Sequence, residues 1–191
     1  MSGDHPRVIM IIRHGEKPPE GDGAPHGITR DGLPDSQALV PFGWARAGAL
    51  VGLFAPTVGS PRPPLVRPHK VYAARPVDGL HLRESETVSL VAAQLGVEVQ
   101  MPCAVGQEDE LAALLRQEDG PVLVAWEHVR IPLLVRALGA TTPPAPTTWP
   151  WDRFDMVFLL ESAPGGGYSF TQVPELVLPG DSADPFPLSA G

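Results

Sequence analysis

Four short apolar runs, residues 8–12, 71–74, 122–126 and 156–160, limit most tightly what this chain can fold into. They are rich in β-branched residues and do not alternate apolar with polar positions. Each is therefore expected to be a strand covered on both faces, as in a mostly parallel sheet. The segments between them carry a helical period. Val88, Val91, Ala92 and Leu95 form one apolar stripe, and Ile131, Leu134, Val135 and Leu138 repeat it. Leu111, Leu114 and Leu115 begin another, and Phe42, Ala45, Ala49, Leu50 and Leu53 mark an earlier helix. Strands alternating with amphipathic helices predict an α/β protein, a three-layer α/β/α sandwich with a mostly parallel central sheet. Residues 154–161 and 168–173, joined by Pro164-Gly165-Gly166-Gly167, predict a hairpin and hence an antiparallel sheet edge. Residues 141–152 read as irregular. With 191 residues the chain suits one domain, expected over residues 1–178, with 179–191 a loosely ordered tail.

A formal net charge of -8 argues against nucleic acid and anionic membrane surfaces as partners. Any anion must be held in a local pocket that opposes the global field. Cys103 is the sole cysteine, which excludes an internal disulfide and a cysteine-based metal site. The first residues lack a basic region followed by a long apolar core, so the expected compartment is the cytoplasm. His5, His14, His26, His69, His81 and His128 show no ligand-like pairing, and no Gly-rich run ends in Lys-Ser or Lys-Thr. Neither a metal nor a nucleotide cofactor is expected.

Ligands of open α/β sheets collect at the carboxyl ends of the strands. Arg13-His14-Gly15-Glu16 follows the first run, Arg75 and then Arg83 follow the second, and Glu127-His128-Val129-Arg130 follows the third. Two histidines and several arginines are thereby directed to one edge, which favours an anion site. Arg83 supplies a separate argument. It opens Arg83-Glu84-Ser85-Glu86-Thr87 at the start of a helix, where the macrodipole disfavours a cation unless an anion is shared there.

Arg13-His14-Gly15-Glu16 after a buried strand resembles the signature of the histidine phosphatase (phosphoglycerate-mutase-like) superfamily. Arg83-x-x-Glu86-Thr87 resembles its second arginine motif, and His128 matches the place of its second histidine. The resemblance runs in order from about Arg7 to Leu138. It implies a phosphoglycerate-mutase-like fold and a phosphatase that works through a phosphohistidine intermediate. His14 would be the nucleophile, with Arg13, Arg83 and His128 holding the phosphoryl oxygens. Glu16 would be an orienting partner or a solvated carboxylate, and Arg75 a pocket rim or surface charge.

Three departures bear on the chemistry. A longer stretch separates Ala74-Arg75-Pro76 from Arg83, consistent with a loop insertion or with Arg75 taking over the phosphate. His128 is flanked by Glu127 and Val129 rather than by small residues. No glutamate stands out as general acid: Glu108 and Glu127 are the candidates, although Glu108, Asp109 and Glu110 also suit a helix N-terminus. Strand alternation points Glu127 away from the site unless the chain turns there. The weak acid signal and short loops resemble small phosphatases that act on phosphohistidine. The expected substrate is a phosphorylated small molecule or a phosphoprotein. Two alternatives stay open: a phosphate- or phosphoprotein-binding module with weak turnover, and a phosphoglycerate-type mutase.

Overall fold

In the computed structural model, which describes residues 7–20 and 23–188, all four apolar runs are strands. They are β1 (Val8–Arg13), β2 (Lys70–Ala73), β4 (Val122–Trp126) and β6 (Met156–Ser162), joined in one sheet by β3 (Val99–Gln100), β5 (Thr141–Thr142) and β7 (Tyr168–Pro174). The seven strands lie in the order β3-β2-β4-β1-β6-β7-β5. The β3, β2, β4 and β1 strands run parallel, whereas β6 is antiparallel to both β1 and β7. The chain is thus α/β with a mixed, mostly parallel sheet. Among the described residues the helices are α1 (Pro41–Phe54), α2 (Leu82–Leu95), α3 (Glu108–Leu115) and α4 (Ile131–Leu138).

The absence of alternation has a direct physical cause. Every residue of β1 and β4 is buried, because both faces of these strands are covered. Val8, Met10 and Ile12 join Leu50, Leu53 and Phe54 of α1 and Val88, Val91 and Ala92 of α2 in one core cluster. Ile9 and Ile11 point the other way, into a second cluster with Leu111 and Leu115 of α3 and Ile131, Leu134 and Leu138 of α4. Each such side chain removed from water contributes about 1.5–3 kcal/mol. The α2 helix stops at Gly96, whose φ of 70° lets its N–H turn back to the Ala92 and Ala93 carbonyls.

The hairpin of β6 and β7 is antiparallel as the glycine-rich turn predicts, but it is not the sheet edge. Two residues of the segment expected to be irregular form β5, which pairs parallel to β7 outside it. A two-residue strand carries no period that a sequence could display, and β3 escapes notice for the same reason. The tail also differs from expectation. Phe186 is buried against Trp149 and Phe158, and Asp181 ion-pairs with Arg46. An aromatic ring and a carboxylate thus dock a segment whose composition reads as loose. Residues 189–191 lie outside the described residues, as do the six at the amino end on which the compartment expectation rests. Among the described residues no helix is long and apolar enough to cross a membrane.

Candidate active site

Parallel pairing places the first motif beside the third. Arg13 on β1 lies opposite Trp126 on β4, and the His14 amide donates to the Trp126 carbonyl at 3.4 Å. The chain turns immediately after Trp126, and Glu127 comes round to His128: its Oε1 lies 2.8 Å from His128 Nδ1. The contact lacks the alignment of a hydrogen bond. Strand alternation therefore ends one residue too early to send Glu127 to the opposite face. The His128 ring stands edge-on to His14, with centroids 6.3 Å apart.

His14 is only 3% exposed. Its Nδ1 lies 2.7 Å from the Gly15 carbonyl oxygen, which can only accept, so Nδ1 carries the proton and Nε2 the lone pair. Burial pushes the imidazole pKa down to about 4; Arg13 and Arg83 act in the same direction, opposed by Glu84 and the Gly15 carbonyl. At neutral pH this is an uncharged imidazole with one free nitrogen, the form that can act as a nucleophile.

Two contacts fix the loop that carries it. The Gly15 amide donates to Thr87 Oγ1 at 2.8 Å, and the α1 backbone passes so close that a Cβ on Gly43 would lie 2.6 Å from the Glu16 carbonyl oxygen. Glycine at position 43 is required by that approach. Glu16 itself is second to the site: it binds Arg46 on α1, which also holds Glu175 and Asp181.

Arg83 sits in the first turn of α2, with Nη1 donating to the Ser36 carbonyl at 3.2 Å and Nε buried without a partner. Arg13 is placed differently from the expectation of a pure phosphate ligand. Its Nη1 donates to the carbonyls of Trp151 at 2.6 Å and Arg153 at 2.9 Å, and its guanidinium lies 3.8 Å over the Phe154 ring. Arg13 thus clamps residues 150–153 over the strand end, while its Nε is buried and unpartnered.

Among the described residues, the buried side-chain atoms lacking a hydrogen-bond partner are Arg13 Nε, Arg83 Nε, Glu84 Oε2, Glu127 Oε2, His128 Nδ1 and Glu175 Oε1. All but the last belong to this one neighbourhood. Each costs about 1–3 kcal/mol when left unsatisfied, so this neighbourhood concentrates polar atoms that can meet water or a ligand.

The remaining expectations separate. Arg75 is exposed and its guanidinium reaches Gln107 at 3.4 Å, whereas Arg83 lies beside the His14 loop. Glu108 accepts from Trp126 Nε1 at 3.0 Å, the Gly106 amide at 2.9 Å and Arg130 Nε at 3.1 Å. Burial pulls its pKa upward, but these bonds outweigh it and hold the carboxyl below its ordinary value. A carboxylate so committed anchors Trp126 and Arg130, and its lowered pKa works against the role of general acid that the sequence allows it. Glu127 is at the site but is likewise held below its ordinary value, with His128 overcoming the effect of burial. Glu84 and His81, not singled out from the sequence, join the cluster: Glu84 is buried, close enough to His14 to act on its charge, and 3.4 Å from His81 Nδ1. An acidic residue in a first helical turn is accounted for by the macrodipole, which hid Glu84. No protein-family model and no curated protein matches this chain.

Proposed function

We propose that this chain is a metal-independent phosphatase of the histidine phosphatase type, with the three-layer, phosphoglycerate-mutase-like architecture that this implies. The observation that carries the reading is a buried, neutral His14 with Nδ1 tied to the Gly15 carbonyl, set among Arg13, Arg83 and His128. In this mechanism His14 Nε2 attacks phosphorus in line and the leaving group departs from the opposite side. Arg83 Nε and Arg13 Nε donate to the phosphoryl oxygens, and His128 supports a third. Water then hydrolyses the phosphohistidine. The site contributes chiefly positioning and electrostatic stabilisation, which preorganised arginines supply.

The substrate is a phosphomonoester or a phosphohistidine, on a small molecule or a protein. The test is turnover of an aryl phosphate by wild type and His14→Ala with EDTA present. The reading expects wild-type turnover that survives the chelator and none from a folded His14→Ala. Equal turnover by both proteins would refute it. Arg83→Ala is expected to cost about 3 kcal/mol of transition-state stabilisation.

A further inference from the structure

The stretch that separates Arg75 from Arg83 builds a specific feature. Residues 77–80 close a tight turn in which the Val77 and Leu80 backbones hydrogen-bond each other. Asp78 and Gly79 hold φ of 51° and 76°, and His81 follows at 64°, left-handed, as the residue before α2. A non-glycine residue held there costs on the order of 1–3 kcal/mol and persists only where its surroundings fix it. The turn brings the His81 imidazole to Glu84, with Nδ1 3.4 Å from Oε1. A carboxylate accepts, so Nδ1 carries a proton and Nε2 is the free end of the ring. The side chain is 29% exposed, whereas Glu84 is buried.

Glu84 links two histidines, being paired with His81 and electrostatically coupled to His14. The charged groups that face His81 are Glu84 and Arg83 on α2 and Glu127 in the turn after β4, all of them around His14. Three carboxyls of this neighbourhood are poor acids; Glu86 is the exception, pushed up to about 7 by burial, and its Oε2 accepts the Leu39 amide at 2.8 Å. Glu84, Glu108 and Glu127 are each pulled up by burial but held below their ordinary values by His81, Arg130 and His128 respectively. His81 is the reverse. Its bond to Glu84 raises its pKa, Glu127 adds to the rise, and burial and Arg83 oppose it.

We propose that His81, oriented by Glu84, is the proton donor to the leaving group, and that the substrates therefore include alkyl phosphomonoesters. The proposal rests on the phosphohistidine reading above. As His14 Nε2 bonds to phosphorus, the bond from phosphorus to the ester oxygen breaks, and the His81 Nε2 proton moves to that oxygen to release an alcohol. Neutral His81 then takes a proton from the attacking water as the bond from phosphorus to His14 breaks. Inorganic phosphate leaves, and both histidines return to their starting states. Because an alkoxide leaves poorly without a proton, the donor matters most for alkyl esters.

The experiment compares kcat/KM of wild type and His81→Gln on glycerol phosphate and on p-nitrophenyl phosphate across pH. Wild type is expected to hydrolyse both. The variant is expected to lose roughly 100-fold on the alkyl ester, with a loss at least about tenfold smaller on the aryl ester, and to lose the high-pH limb. Equal losses on the two esters, no loss, or a wild type inactive on glycerol phosphate would overturn the donor. Glu84→Gln guards against a misfolded variant: with its thermal melt retained, its high-pH limb moves to lower pH, and an unmoved limb also overturns the assignment. The two readings fail separately. If wild type carries no phosphoryl group on His14 during aryl ester turnover, the site reading falls and takes the donor with it. If His14 is labelled and the ester selectivity is absent, the donor alone falls.

Discussion

The Thr87 hydroxyl accepts the Gly15 amide at 2.8 Å and donates to the Arg83 carbonyl at 2.6 Å. One side chain thereby joins the loop that carries His14 to the helix turn that carries Arg83. The two motifs are far apart in sequence, and these bonds tie the His14 loop to the turn of Arg83, the nucleophile and clamp of the proposed mechanism.

Thr87→Val keeps the shape and removes the acceptor. A buried amide is left unpaired, and stability is expected to fall by about 1–3 kcal/mol in urea unfolding. Turnover falls with it, because a small displacement of a reacting nitrogen is costly. Thr87→Ser is expected to recover most of both. Wild-type rate and stability in Thr87→Val would show that the bond positions nothing.

Arg13 holds the segment 150–153 through two short bonds to carbonyls and a stacked Phe154 ring. Lysine lacks the planar fork and the stacking face. Arg13→Lys is expected to loosen the segment, destabilising the protein by roughly 1–3 kcal/mol and speeding tryptic cleavage at Arg153. An unchanged cleavage rate would mean that these contacts do not restrain the segment.

The acid limb of the rate profile follows from His14. In the proposed mechanism His14 attacks as the neutral imidazole, and burial pushes its pKa down to about 4, so kcat/KM should hold from neutral pH downward and fall to half near that value. A half-point near the ordinary histidine value would mean that burial does not act on this imidazole in solution. The sign for stability agrees: the unfolded chain binds the His14 proton at higher pH than the folded one, so this contribution is present above about 6.5 and is lost as pH falls toward 4.

Strands and helices were legible because burial on two faces removes alternation and burial on one imposes the helical period. The three motifs were legible because parallel strands deliver their carboxyl ends to one edge. What could not be read depends on long-range approach. Arg46 meets Glu175 and Asp181 across separations of 129 and 135 residues, and nothing local in any of the three announces it. The Glu127 side chain depends on where β4 stops, a boundary of one residue. His81 depends on a left-handed backbone, uncommon outside glycine, that nothing in the sequence around it announces.

The same distant cluster makes a stability prediction. One arginine faces three carboxylates, and the most buried, Glu175, is pushed up to about 8 by burial, with Asp181 and Asp155 adding to the rise and Arg46 opposing it. Between its ordinary value of 4.5 and about 8 the folded protein holds a proton that the unfolded chain has released. Stability therefore declines as pH rises through that window. Glu175→Gln should flatten the decline and melt a few degrees above wild type at alkaline pH. Parallel wild-type and variant curves would show that Glu175 is ionised throughout.

The central claim is that His14 carries the phosphoryl group, and trapping it is the most direct test. Wild type turning over an aryl phosphate is quenched into alkaline denaturant, since phosphohistidine is labile in acid, and its peptides are weighed. The account predicts a phosphoryl group on the peptide containing His14, lost on a chase without substrate and absent from His14→Asn. Steady turnover with His14 unmodified, or with the label on His128, would contradict it.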